Sequence, residues 1–223
     1  MLLIHRIFLL SIDGAITDDF TTVYEAIARM REGIPVYNEN YMYVDPHYLW
    51  SPGATILLYP FSFARLAIAR FGFILINAGC VIAAIGFFLK LLGKRPTSFL
   101  FPLFVAAALL TESVRNTLIF SNINGILFLL LVGFYYFLVR DRQWLAGFAI
   151  GFAIVFKPIF LPLLVLPLVK LNWKTIVSGV GVPIVMNLIA WPLVPGATDY
   201  ITRTTPYICL LYTSDAADDS LRV

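Results

Sequence analysis

The stretch Phe71–Phe88, FGFILINAGCVIAAIGFF, carries no charge and stops just before Lys90, Lys94 and Arg95. A hydrocarbon core about 30 Å thick is crossed by roughly 20 apolar helical residues. The stretch therefore predicts a membrane-spanning helix whose basic end faces the cytoplasm. Working outward, Phe99–Leu110, Gly125–Leu138, Trp144–Phe156, Ile159–Val169 and Thr175–Val194 are further apolar runs, and Gly53–Ala69 is apolar but interrupted by Pro60 and Arg65. The chain is 60% hydrophobic and only 13% charged, with a mean hydropathy of +0.87. Soluble domains carry about 25% charged residues. A secretory leader would explain Met1–Ile16 and none of the later runs. The expected fold is all-α, a polytopic membrane protein.

The formal charge of +3 comes from basic residues clustered between the apolar runs. Such clusters read as loop anchors and give no argument for nucleic acid. With Lys90, Lys94, Arg95, Arg140, Arg142, Lys170 and Lys174 all cytoplasmic, Thr17–Ser51, Thr111–Asn124, Lys157-Pro158 and Pro195–Tyr207 share the opposite, outer face. That path requires Gly53–Ala69 to be re-entrant or in-plane and Ile159–Val169 to be half of a hairpin, as broken helices lining a protein cavity can be. Were Trp144–Val169 one kinked helix, Lys157 would sit in mid-membrane and everything after it would flip. Cys80, inside an apolar run, and Cys209, near the end, indicate neither a disulfide nor a metal site.

Met1–Ile16 reads as a short first helix interrupted by His5, Arg6 and Asp13. After it, Phe20, Val23, Ile27 and Met30 fall at helical spacing, with Thr17, Asp18 or Asp19 as N-cap and Gly33 as C-cap. This predicts an amphipathic helix lying on the membrane surface. Pro35 stops it, and Tyr37, Tyr41, Tyr43, Tyr48 and Trp50 suit an interfacial aromatic belt.

Several outer-face residues could carry chemistry. Asp18 and Asp19 are paired carboxylates; one can cap the helix, and one can take the proton from a hydroxyl attacking a sugar. Lys157 is an ionisable residue in an apolar stretch, which marks function by default. Its ammonium could pair with a lipid phosphate, or snorkel from a helix end. Glu112, Arg115, Asn116, Asn122 and Asn124 lie in one polar string, either a water-exposed turn or a surface for phosphate and sugar hydroxyls. His47 sits in the cluster Asp45-Pro46-His47-Tyr48, and Arg203 lies among Thr202, Thr204 and Thr205. Carboxylates, cations and aromatics on one face together suggest an anionic lipid-linked substrate.

At these residues the chain resembles a known family. The stretches are Ile16-Thr17-Asp18-Asp19-Phe20 with Val23-Tyr24, Tyr37-Asn38-Glu39, and Val44-Asp45-Pro46-His47-Tyr48-Leu49 with Pro52-Gly53. Thr111-Glu112, Asn116-Thr117-Leu118, Asn122-Ile123-Asn124-Gly125, Lys157-Pro158, and Arg203-Thr204 with Pro206-Tyr207 complete the set. They resemble the actinobacterial arabinofuranosyltransferase C group within glycosyltransferase family 87, which has the type C membrane fold. The resemblance implies a partial type C helical bundle with a periplasmic loop helix, embedded in the bacterial plasma membrane. It also implies transfer of D-arabinofuranose from decaprenyl-phosphate-arabinose onto cell-wall arabinan in α-(1→3) linkage. Asp19 or Asp18 would then be the base, and Lys157, with Arg115, would meet the donor phosphate. No cofactor is implied beyond the lipid-linked donor, and the need for a divalent cation is left open. Competing expectations are a polyprenyl-phosphate-mannose-dependent mannosyltransferase and a transporter or lipid-binding protein without chemistry. No internal repeat of paired broken helices supports a transporter.

The end of the chain reads differently. Cys209–Asp219, CLLYTSDAADD, looks like the in-frame translation of a sequencing adapter. The expected division is therefore a membrane-embedded region, 1–208, and an adapter read-through tail, 209–223. On that reading the chain is the N-terminal half of a longer enzyme and is inactive by itself.

Overall fold

A computed structural model describes residues 19–38, 47–95 and 97–210, and among them every regular element is helical. The helices are Asp19–Arg31 (α1), Pro52–Leu58 (α2), Leu66–Leu91 (α3), Leu100–Leu110 (α4), Glu112–Ile119 (α5), Asn124–Val139 (α6), Gln143–Phe156 (α7), Val165–Val169 (α8), Trp173–Ala190 (α9) and Ala197–Asp199 (α10). Tighter 3-10 turns occupy Tyr59–Phe63 and Pro158–Leu164, and a π turn spans Tyr200–Thr204. The expected first helix, Asp18, the stretch 39–46 with Tyr41, Tyr43 and Asp45, and residues 211–223 of the expected tail lie outside the described residues.

Two helices, α3 and α9, are long and apolar enough to cross a membrane. α3 extends the expected Phe71–Phe88 span at both ends. Ile68, Leu75 and Ile82, each seven residues apart, are exposed on one side of it, while Phe73, Ile74, Asn77 and Val81 are buried on the other. A helix that stays apolar on its exposed side is built for lipid. With Val177, Ile184 and Leu188 exposed in the same way on α9, the chain is a membrane protein.

α3 and α6 run side by side in the same direction: Asn77 meets the start of α6, and Phe87 meets Tyr136 near its end, at 4.9 Å between ring centres. α6 ends at Val139, and the tight turn through Asp141 (φ 56°) sends α7 back. α7 then packs on α9, again in parallel, through small residues. A Cβ placed on Gly147 would lie 1.7 Å from Ser178 Oγ and 2.7 Å from the Thr175 carbonyl. One end of the bundle thus gathers Lys90, Arg140, Arg142 and Lys174, and the other gathers α1, the start of α6 and the end of α7.

Between α7 and α9 the chain has to return along the bundle. α7 does not continue as one kinked helix: Lys157 is extended (φ −138°, ψ 103°) and Pro158 opens a 3-10 turn. Rising about 2.0 Å per residue rather than 1.5, the 3-10 turn lets Pro158–Val169 cover with 12 residues what α7 covers with 14. Pro162 and Pro167 lack the N–H groups a regular helix would need, which favours this stretched path. Gly53–Ala69 is likewise broken, into α2, the turn Tyr59–Phe63 and an extended Arg65. Ser51 caps α2 by accepting from Ala54 N–H at 3.3 Å, and its own hydroxyl donates to the Val155 carbonyl at 2.8 Å. Asn187 Oδ1 accepts from Gly53 N–H at 3.1 Å, so α2 is fixed between α7 and α9.

Three local expectations are corrected. α1 forms as its spacing predicts and ends at Gly33 in the left-handed region (φ 73°), with Ile34 N–H bonded to the Arg29 carbonyl. Its apolar face, however, does not lie on the membrane surface. Phe20, Val23, Ala26 and Ile27 are buried in protein, with Phe20 stacked on Phe73 at 4.6 Å and edge-on to Phe61 at 5.7 Å. The broken segment after Pro52 fills the side that lipid would have occupied. Tyr37 and Tyr48 are not an interfacial belt either. Both are fully buried, and both hydroxyls reach Thr55 Oγ1, at 3.2 and 2.8 Å. Finally, Thr111–Asn124 is not a polar turn. Thr111 Oγ1 accepts from Val114 N–H, and the capped helix α5 follows.

Candidate functional site

Four of the sequence-predicted residues share one cavity. At the end of the bundle away from the basic cluster, a cavity of about 210 Å³ is lined by Asp19, His47, Trp50, Asn122 and Lys157, among others. Each arrives from a different place. Asp19 opens α1, His47 and Trp50 precede the Ser51 cap, Asn122 lies in the turn between α5 and α6, and Lys157 follows α7. A second cavity of about 560 Å³ shares Asp19 and Asn122 and adds Ser113, Asn116, Asn124, Phe120 and Phe128. Asp19 thus borders both.

Hydrogen bonds fix this geometry. Asp19 N–H donates to the Phe120 carbonyl at 3.1 Å, and Asn122 Nδ2 donates to Asp19 Oδ2 at 2.6 Å. Asn122 Oδ1 accepts from Asn124 N–H at 2.9 Å, and Lys157 Nζ donates to Asn124 Oδ1 at 3.1 Å. Beneath them, buried Asn77 of α3 accepts from Ile126 N–H at 3.2 Å. The approach is close enough that a Cβ on Gly125 would lie 2.6 Å from the Asn77 carbonyl, which makes glycine necessary there. The first turn of α6 is therefore held against α3.

Lys157 is half-buried, and its burial lowers the ammonium pKa from the ordinary lysine value, while the Asp19 carboxylate acts in the opposite direction. Desolvation favours the neutral amine, and the nearby negative charge restores part of the cation. An anion delivered into this cavity would restore more.

The remaining predicted residues stand apart. Glu112 is exposed at the start of α5, and Arg115 is half-buried on the same helix; neither lines these two cavities, whereas their neighbours Ser113, Asn116 and Thr117 line the larger one. Arg203 is exposed and donates to Asn38 Oδ1 at 3.4 Å. His47 meets Tyr207 edge-on, ring centres 5.2 Å apart. Asn116, in the polar string, lines the larger cavity as expected of a sugar- or phosphate-facing amide, whereas sequence reasoning missed Trp50 and Asn77 as parts of the site. Asn77 left a signal, a lone amide in the middle of the uncharged span. Trp50 left none beyond its place beside His47. Among the described residues no group of three or more His, Cys, Asp or Glu is placed to hold a metal ion.

A sequence model of glycosyltransferase family 87 matches residues 48–222. The alpha-(1->3)-arabinofuranosyltransferase of Corynebacterium glutamicum is 52% identical over 222 residues, covering 99% of this chain and 53% of that protein. Proteins of the same name from Mycobacterium tuberculosis (strain H37Rv) and Mycolicibacterium smegmatis are 43% and 41% identical over 208 residues, covering 92% of this chain and 48% of each. The chain spans about half the length of the curated relatives it matches. No solved structure matches it. The chain belongs to glycosyltransferase family 87.

Proposed function

We propose that the chain is the N-terminal half of a polyprenyl-phosphate-sugar-dependent arabinofuranosyltransferase, with Asp19 as general base and Lys157 as the cation for the donor phosphate. The observation that carries this reading is the cavity that brings together Asp19, at the start of α1, and Lys157, at the end of α7. Glycosyl transfer from a phosphate-linked sugar needs two things. A carboxylate must accept the proton of the attacking hydroxyl, and a cation must stabilise the departing phosphate. The donor is decaprenyl-phosphate-arabinose, the acceptor is arabinan, and the new linkage is α-(1→3). The names of the family relatives support the sugar and the linkage. The chain crosses the bacterial plasma membrane several times, with the site on the outer face, as the basic residues at the other end of the bundle require.

Donor use and the lysine are tested in one assay. Membranes carrying the full-length protein should consume labelled decaprenyl-phosphate-arabinose; turnover of polyprenyl-phosphate-mannose instead would overturn the sugar assignment. Lys157→Met should weaken donor affinity by roughly ten- to a hundred-fold, the scale of one charge-assisted contact, with acceptor affinity little changed. Because the Lys157 pKa is lowered from its ordinary 10.5, donor affinity should start to fall with rising pH earlier than an exposed lysine would allow. The methionine variant should lose that dependence. Equal donor affinity in the two proteins would reduce Lys157 to an anchor.

Topology has a separate test. In a background without Cys80 and Cys209, cysteines at exposed Glu32 and Glu112 should react with an impermeant thiol reagent in intact cells, and one at exposed Lys94 should be protected. The reverse pattern would invert the protein and remove the outer-face site. Ser121, though in the outer turn, is buried and makes a poor reporter.

A further inference from the structure

The turn from Phe120 to Ile123 is built around one side chain. Asn122 N–H donates to the Thr117 carbonyl at 2.8 Å and closes the end of α5. The residue before it, Ser121, is buried and sits in the left-handed region at φ 49°, where other helix ends of this chain place Gly33 and Gly93. A non-glycine residue there costs on the order of 1 kcal/mol and persists only when its surroundings hold it. Asn122 supplies that hold, and its amide orientation is not ambiguous. Oδ1 accepts from a backbone N–H, which can only donate, so Nδ2 must face the Asp19 carboxylate.

We propose that Asn122 is a positioning residue for the acid–base step: its amide pins the Asp19 carboxylate to the α5–α6 turn and sets the pH range in which that carboxylate can take a proton. This rests on the reading of Asp19 as the base. A hydrogen bond donated to a carboxylate stabilises the ionised form, and at 2.6 Å this one is short and charge-assisted. Charged and titratable groups also stand near Asp19. Lys157 and His47 line the same cavity, Arg70 of α3 donates to Thr21 of α1 at 2.6 Å, and Asp18 precedes it in sequence. Glu112 and Arg115 of the adjoining helix line neither cavity. Asn122 is thus a neutral donor to this carboxylate, and the turn carrying it is anchored through Asn124 to α6 and from there to Lys157.

The test is the pH profile of kcat/KM for sugar transfer by the full-length protein, measured for the parent, Asn122→Ala, Asn122→Asp and Asp19→Asn. With the donor removed, the acidic limb of Asn122→Ala should move up by about one pH unit, and its rate at neutral pH should fall roughly ten- to a hundred-fold. Asn122→Asp keeps the shape and the acceptor for Asn124 N–H but sets a second carboxylate against the first. Its limb should move further up, as for two carboxylates sharing a proton. If Asn122→Ala does not fold, the near-isosteric aspartate variant answers the same question. Activity that falls equally at every pH, or does not fall, would overturn the assignment. Asp19→Asn separates the two layers. Parental activity in that variant would sink the base itself, whereas an inactive Asp19→Asn with unmoved limbs in the Asn122 variants would sink only the positioning role.

Discussion

Asp19→Asn in the full-length protein is expected to remove sugar transfer by roughly 10²–10⁴-fold, the range a general base contributes, while leaving the melting temperature near parental. The structure explains why the two readouts separate. An asparagine at 19 keeps the backbone N–H that bonds to the Phe120 carbonyl. It also keeps an oxygen that can accept from Asn122 Nδ2. What it loses is the capacity to take a proton. A residue that serves only to start α1 tolerates the change, since an amide oxygen caps a helix nearly as well as a carboxylate. Asp18→Asn should be milder. If both asparagine variants transfer sugar at the parental rate, the base lies elsewhere; Glu112, exposed and outside both cavities, is a poor substitute.

The second large effect is on folding. Gly147→Ala should destabilise the bundle by about 1–3 kcal/mol, as over-packing of a close contact does, and Gly147→Leu by more. The added Cβ would meet Ser178 Oγ at 1.7 Å and the Thr175 carbonyl at 2.7 Å. Ser178→Gly in the same chain would relieve the first clash and not the second, because the Thr175 oxygen is backbone and already accepts no rearrangement short of parting α7 from α9. Partial rescue by Ser178→Gly is therefore expected. The readout is thermal melting in detergent, and an unchanged melting temperature for Gly147→Ala would show that the two helices are looser than described.

Much of this architecture was legible in the residues. The uncharged run around Phe71–Phe88 gave α3, and Arg140–Arg142 marked the reversal between α6 and α7. Lys157-Pro158 falls at the break after α7, since the residue before a proline is biased away from the helical region; Pro183 inside α9 shows that this bias alone does not decide between a break and a kink. The spacing of Phe20, Val23 and Ile27 gave α1 but not its partner. Amphipathicity records that one face is apolar, and protein or lipid can cover it equally well. Only the packing of Phe20 on Phe61 and Phe73 decides. The same limit applied to the tyrosines, since an aromatic with a hydroxyl suits an interface and a satisfied interior alike until Thr55 is seen beside Tyr37 and Tyr48. In the site, residue type singled out Asp19, Lys157, Asn122 and Asn124. Their order of contact depends on how α5 ends, at a serine in a conformation no sequence pattern announces. Arg115 and Glu112 were attractive for their charge, and helical geometry turned their neighbours Ser113 and Asn116 toward the larger cavity instead.

The unequal lengths of the helices carry a consequence for the surrounding lipid. α6 and α7, with 16 and 14 residues, rise only about 24 and 21 Å, while a bilayer's hydrocarbon core is about 30 Å thick. α3, with 26 residues, more than meets that thickness. With α6 and α7 crossing as proposed, the membrane would come down to the protein on the side where they end, because exposing apolar chain to water or burying Asp19 and Lys157 in hydrocarbon costs more than bending lipid by a few ångströms. The proposed topology thus predicts a headgroup surface dimpled above the cavity. On the proposed function, a phosphate carried on a long isoprenoid tail would then reach Lys157 at the level of its own leaflet's polar surface, without leaving water for oil.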